Sequence, residues 1–199
     1  KLKDGTWVVL VSSGYNNVTP GDGVGRLFVL NAATGALIRT ISTGVGSAAT
    51  PSGLAKIETF VDNTSVDNTT KYVYGGDLLG NLWRFDVNGD IGAAGFDAQR
   101  LVTLVDAGGI PQSITAKPVP STIGGTVVVL VGTGQLIGIS DLVTTQQQSF
   151  YAVKDVLGST ALGNPRVAAT KFVKQTITLS VCTAAQVAAG ICFTGEQVS

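Results

Sequence analysis

Tyr72-Val-Tyr-Gly-Gly-Asp-Leu-Leu-Gly-Asn-Leu-Trp-Arg-Phe-Asp86 is the stretch on which the fold turns. Two short aromatic-bearing runs flank a Gly- and Asn-containing break, the composition of a β-hairpin. Gly80-Asn81 is expected to supply the positive φ of a tight turn. Asp77 is placed to accept backbone hydrogen bonds across that turn, and Trp83 offers a large face to bury. Gly76, Asp77, Gly80, Asn81 and Trp83 are therefore read as a structural signature rather than as catalytic groups.

The same grammar recurs on both sides. Upstream, Trp7-Val-Val-Leu-Val11 leads through Gly14 to Arg26-Leu-Phe-Val-Leu-Asn31, the turn Ala33-Thr-Gly35 and a third strand at Ala36–Ile41. In the second repeat, Lys71–Tyr74 and Leu82–Asp86 are followed by a strand at Leu101–Val105. Downstream, Thr126–Val131 and Gly132 lead by a loop to Ser149-Phe-Tyr-Ala-Val-Lys-Asp155. Amphipathic helical periodicity is absent before the last twenty or so residues, which marks an all-β chain. Repeats spaced by about fifty to sixty residues are long for four-stranded propeller blades, with the excess in loops such as 45–52 and 108–120. The fold class is thus an all-β propeller with irregular blades, quinoprotein-like in its strand grammar, and this chain is expected to hold part of the ring. Residues 1–155 carry about three degenerate blades. Residues 156–199 read as a tail of the same domain, with a strand at Lys171–Val181 and a short helix from Thr183 to Gly190. Trp7, Tyr72, Tyr74, Trp83, Phe85, Phe150 and Tyr151 fall in strand patterns and are expected in blade cores, whereas Tyr15 and Phe96 are candidates for an exposed surface.

Composition removes several functions. Of 199 residues 44% are hydrophobic and 13% charged, and 13 Lys+Arg balance 13 Asp+Glu. Basic residues stand singly, which disfavours nucleic acid and anionic membranes. No apolar run approaches the ~20 residues of a membrane-spanning helix. The absence of histidine removes Ser-His-Asp triads and His-ligated zinc. Without Met, and beginning at Lys1, the chain reads as a fragment, with any signal peptide lying outside it. Cys182 and Cys192 suit a local disulfide that pins the tail in an oxidising compartment, worth ~3 kcal/mol in the chain-entropy reading.

Three motifs admit a sharper reading beside a bland one. Val127–Gly138 imitates a dinucleotide fingerprint, with Asp155 as its distal acid, but Ile139–Gln148 is short and β-branched, so turn glycines are preferred. The carboxylates Asp77, Asp86, Asp90 and Asp97 are close in sequence without any sign of a shared cleft. Two loops have oxygen donors at alternating positions suited to Ca2+: Asp62, Asn63, Ser65 and Asp67, and, more weakly, Asp86, Asn88 and Asp90. Side chains capping their own backbone account for both loops without a metal.

The hairpin signature resembles that of the C-terminal propeller of PilY/PilC-type proteins, the tip-associated biogenesis factors and adhesins of type IV pili. Gly5–Asn16 with Leu27–Gly35, and Val128–Asp141 with Gln148–Tyr151, extend the resemblance in family order. It implies a non-enzymatic scaffold and partner-binding domain that supports pilus biogenesis, control of retraction and surface adhesion. The implied partners are minor pilins of the pilus tip and host or abiotic surfaces. The implied location is the pilus tip, cell surface or periplasm and outer membrane. The family's calcium loop falls on Asn63, Ser65, Asp67 and Lys71; Asn63 and Lys71 stand where carboxylates are expected, and an ammonium opposes a divalent cation. No cofactor is expected, with Ca2+ the one ion the loops admit. The alternative from another class is a fragment of a quinone-cofactor dehydrogenase propeller, opposed by the scarcity of clustered basic residues for the cofactor's carboxylates.

Overall fold

The structure is a computed structural model that describes residues 1–91, 97–166, 173–175, 179–190 and 196–198. Three antiparallel meanders follow one another along residues 1–168, which form one compact unit; residues 169–199 form a second. The first sheet runs β1 (Val8–Ser12), β2 (Arg26–Asn31) and β3 (Leu37–Ser42) in that order. The second has four strands, β4 (Ile57–Phe60), β5 (Tyr72–Gly76), β6 (Asn81–Phe85) and β7 (Ala98–Thr103). The third is β8 (Val119–Ile123), β9 (Thr126–Gly132) and β10 (Phe150–Asp155).

The second sheet lies between the other two. In β5 and β6 every residue is buried. Their side chains alternate by strand pleat. Val73, Trp83 and Phe85 face the first sheet, where they cluster with Leu27, Val29, Ile41 and Leu54. Tyr74 and Arg84 face the opposite way, toward β10. Two-sided burial explains why this sheet reads as aromatic and apolar without a polar alternation, whereas the outer sheets keep one open face.

Several boundaries differ from the sequence expectations. A fourth strand, Ile57–Phe60, precedes the hairpin, pairing with β5 from Ile57↔Gly75 to Phe60↔Tyr72. The span expected to be an insertion, 108–120, ends in the start of β8, where Pro120 is tolerated because β8 is an edge strand. The strand that follows the hairpin is Ala98–Thr103 rather than Leu101–Val105. Segment 156–166 stays with the first unit: Leu162 N donates to Leu101 O at 2.7 Å and Thr103 N to Gly163 O at 3.2 Å, lining the β7 edge.

Two core expectations are corrected. Trp7 is 61% exposed and Phe150 70% exposed. Strand pleating places Trp7 with Val9 and Val11, and Phe150 with Val119 and Ile123, on the outer faces of the first and third sheets. Tyr15, expected on the surface, is half-buried and donates its hydroxyl to Thr115 O at 3.2 Å. Phe96 lies outside the described residues.

In the second unit, β11 (Leu179–Val181) pairs antiparallel with β12 (Glu196–Val198), flanking α1 (Ala184–Ala188). Thr183 caps the helix by accepting from Gln186 N at 3.3 Å, and Gly190 ends it at φ +66°. Of the expected strand 171–181, Leu179–Val181 is a strand whereas 173–175 has no regular secondary structure, and the remaining positions lie outside the described residues. Cys192 lies outside the described residues, and with it the expected Cys182–Cys192 pairing.

Candidate functional site

The hairpin signature is organised by one carboxylate. Asp77, buried at the turn between β5 and β6, accepts through Oδ1 from Leu79 N (3.0 Å) and Asn81 N (2.8 Å). Its Oδ2 accepts from Asn81 Nδ2 (2.9 Å), Trp83 Nε1 (2.9 Å) and Ser52 Oγ (3.3 Å). Burial pushes the Asp77 carboxyl above its ordinary range, against the pull of the hydrogen bonds from Trp83, Asn81 and Leu79. Its main chain is committed too: Asp77 O accepts from Ile114 N at 2.9 Å, and the neighbouring Leu78 N donates to Ser52 O at 2.7 Å. The turn therefore joins the loop before β4, the hairpin and the loop before β8.

Two glycines make this junction sterically allowed. Gly80 sits at φ +78°, and a Cβ there would lie 2.4 Å from Leu104 O. At Gly76 a Cβ would come within 2.1 Å of Ile114 Cγ2. Asn81, by contrast, supplies no positive φ, contrary to the expectation for Gly80-Asn81; it opens β6 and works through its amide, accepting from Thr103 Oγ1 at 2.8 Å while donating to Asp77.

A second buried polar group ties the second sheet to the third. Arg84 Nη1 lies 2.6 Å from Asp155 Oδ1, with side chains 2% and 1% exposed. Tyr74 donates its hydroxyl to Asp155 Oδ2 at 2.8 Å, Leu157 N donates to Asp155 Oδ1 at 2.8 Å, and Arg84 Nη2 reaches Gly158 O at 2.9 Å. Arg84 Nε is buried without a partner. Burial, reinforced by the Asp155 charge, raises the Tyr74 hydroxyl well above its ordinary value. Sequence reasoning noticed Asp155 only as the distal acid of a false dinucleotide motif and passed over Arg84. The available signal was an arginine between Trp83 and Phe85 in a strand buried on both faces, where a charge requires a partner.

That motif's glycines serve the sheet. Gly134 N donates to Ser113 O at 2.7 Å, Thr133 N to Ser149 O at 2.9 Å, and the following helix is a five-residue 3-10 turn, Ile139–Val143. Asp141 fixes the amides that lead into it, its Oδ2 accepting from Ile137 N (2.8 Å) and Gly138 N (2.9 Å). The turn displays Leu136, Ile139, Leu142 and Val143 to solvent.

The sequence-proposed carboxylates do not converge. Asp77 and Asp86 lie beyond opposite ends of β6, and Asp86 accepts from Asn88 N (3.1 Å) and Ile91 N. In the same loop Asn88 Oδ1 accepts from Lys3 N at 2.8 Å, its amide donates to Thr70 O, and Asp90 pairs with Lys3 Nζ at 2.6 Å. In the other loop Asn63 Oδ1 accepts from Ser65 N (3.0 Å), Asp67 Oδ1 accepts from Thr69 N (3.1 Å) and Thr69 Oγ1 (2.9 Å), and Asp62 faces Lys71 Nζ at 3.3 Å. Asp67 also meets Lys1 Nζ at 2.9 Å. The donor set therefore does not fit a calcium ion: an ammonium stands at the Lys71 position, and both loops point their oxygens at their own backbone or at lysines. Among the described residues no group of three or more His, Cys, Asp or Glu is placed to hold a metal.

Antiparallel meanders stacked face to face, joined by buried side chains rather than opened around a polar cleft, define a β-propeller segment. The chain belongs to the PilY1 beta-propeller domain family, whose pattern matches residues 1–188. It is 32% identical over 206 residues to the type IV pilus biogenesis factor PilY1 of Pseudomonas aeruginosa, covering 90% of this chain and 17% of that protein. A PilY1 homolog of Xylella fastidiosa is 29% identical over 179 residues, covering 88% of this chain and 13% of that protein. The crystal structure of the Pseudomonas aeruginosa PilY1 C-terminal domain superposes with a TM-score of 0.67 at 24% identity, over 91% of this chain and 41% of that one. The chain thus spans about a sixth of the first of these relatives and under half of the solved domain.

Proposed function

We propose that this chain is a non-enzymatic scaffold within a type IV pilus biogenesis factor, exported to the pilus tip or cell surface, where it binds minor pilins and supports pilus assembly, control of retraction and adhesion to host or abiotic surfaces. The observation that carries the reading is the use of the buried polar groups. Asp77 is spent on its turn, and Arg84, Tyr74 and Asp155 on joining the second and third sheets, so these polar groups hold geometry instead of facing a substrate. Family membership over residues 1–188 supports the pilus role. Among the described residues no helix is long and apolar enough to cross a membrane. The dehydrogenase alternative draws no support from Arg84, the arginine of the signature, because its guanidinium is committed to Asp155 and Gly158.

Complementation tests the proposal. In a piliated strain lacking its own homologue, the full-length parent protein should restore surface pili and a parent lacking residues 1–188 should not. If the domain opposes retraction, pili return in the truncated strain once the retraction motor is also removed. Normal piliation by a stably exported truncation would overturn the reading.

A further inference from the structure

We infer that this domain closes its loop at 62–71 with lysine ammonium groups in the place where the family resemblance implies a divalent cation, so that the second sheet is held independently of calcium. The loop enters from β4 and leaves into β5, so its closure sets how the hairpin signature is reached. Its backbone already folds on itself: Val66 N and Asp67 N donate to Asn63 O at 3.1 and 2.9 Å. The two carboxylates of the loop each face an ammonium, Asp62 at 3.3 Å from Lys71 Nζ and Asp67 at 2.9 Å from Lys1 Nζ. Thr70 N donates to Lys1 O at 2.9 Å, so the segment carrying Lys1 lies along the loop's exit.

The neighbouring acidic loop repeats the device. Lys3 Nζ lies 2.6 Å from Asp90 Oδ1, and Lys3 N donates to Asn88 Oδ1 at 2.8 Å. Between the two lysines Leu2 is buried in the core shared by the first and second sheets. A single Lys-Leu-Lys segment is therefore anchored by its apolar residue while its two charges reach one aspartate in each loop. A metal at 62–71 would have to displace the Lys1 ammonium and meet the Lys71 charge at contact range, with Asn63 Oδ1 already held by Ser65 N. Exclusion rests on that repulsion and on the two carboxylates missing at Asn63 and Lys71. The exposed ion pairs themselves add little stability.

The test needs no assay of pilus function, so it is separable from the role proposed above. Purified wild-type domain is melted with calcium chloride and with EDTA, and calcium binding is followed by calorimetry. Lys71→Asp and Lys71→Gln are treated alike. The wild type should show no binding heat and the same Tm in both solutions. Lys71→Gln should behave like the wild type toward calcium, losing about 2 °C at low salt in either solution. Lys71→Asp restores one of the two missing carboxylates and removes the opposing ammonium. It should melt below the wild type in EDTA and gain about 5 °C or more at calcium one hundred times its dissociation constant. Binding by the wild type with a calcium-dependent Tm overturns the inference, as does a Lys71→Asp protein that calcium fails to restore.

Discussion

Replacing Asp155 with Asn removes the carboxylate that, among the described residues, pairs with the Arg84 guanidinium, 2.6 Å away in a site where the two side chains are 2% and 1% exposed. Leu157 N keeps an acceptor in the Asn oxygen, and the Tyr74 hydroxyl can turn to accept from the new amide, so the main loss is charge compensation at Arg84. Stranding one partner of a buried pair costs about 3–5 kcal/mol. For a domain of this size each kcal/mol moves Tm by about 2–4 °C, so Asp155→Asn should lower Tm by about 6–20 °C. The paired change Arg84→Met with Asp155→Leu removes both charges in similar volume and should recover most of that loss, because neither desolvated ion remains. Urea titration followed by far-UV circular dichroism and by tryptophan fluorescence reads both the cost and the cooperativity. Coincident transitions license a double-mutant cycle, in which a coupling of about 2 kcal/mol or more is expected. A loss below about 1 kcal/mol for Asp155→Asn would refute the pair as the tie between the second and third sheets.

Trp83→Phe deletes the 2.9 Å bond from Nε1 to Asp77 while keeping a ring in the core, and should cost about 1.5–3 kcal/mol. Trp83→Ala adds a cavity and should reach about 3–5 kcal/mol; equal melting temperatures for Phe and wild type would show the indole bond to be idle. Gly76→Ala drives a methyl to 2.1 Å from Ile114 Cγ2 and should cost about 1–3 kcal/mol, relieved in part by Ile114→Val. The carboxyls of Asp106 and Asp141 are held below their ordinary 3.8, Asp106 chiefly by the Gln146 amide and Asp141 by the Ile137 and Gly138 amides. Their contribution is complete above that value and lost as pH falls through the depressed one, so Tm should decline in acid. Asp77, held above its ordinary value, runs the other way, its contribution falling as pH rises through its raised value. A Tm flat from neutral pH into strong acid would count against the turn carboxylates.

The hairpin was legible because its signals are local: the positive φ of Gly80, the Asp77 carboxylate within four residues of its Asn81 donor, and aromatics at strand spacing. What escaped lies across long separations. Arg84 and Asp155 are 71 residues apart, and nothing near either one names the other. Ile57–Phe60 was overlooked because four residues carry too little periodicity, and β8 because Pro120 reads as a loop until its edge position is known. Trp7 and Phe150 were misplaced for a different reason. Strand pattern assigns an aromatic to a face, but only the stacking of sheets decides which face is covered. The acidic loops were recognisable as donor-rich turns, whereas the lysines that meet them come from residues 1, 3 and 71 and were visible only at Lys71.

Burial of β5 and β6 on both faces makes the middle sheet dependent on its neighbours in a way that neither outer sheet is. In a stack where each layer touches only the next, stability behaves as a chain of nearest-neighbour couplings. Loss of an outer layer exposes half of the middle one, but loss of the middle layer strands both. Amide exchange should accordingly be graded, fastest in β1, β3 and β8 and slowest in the hairpin. The order in which protons are surrendered would report the order in which the stack comes apart.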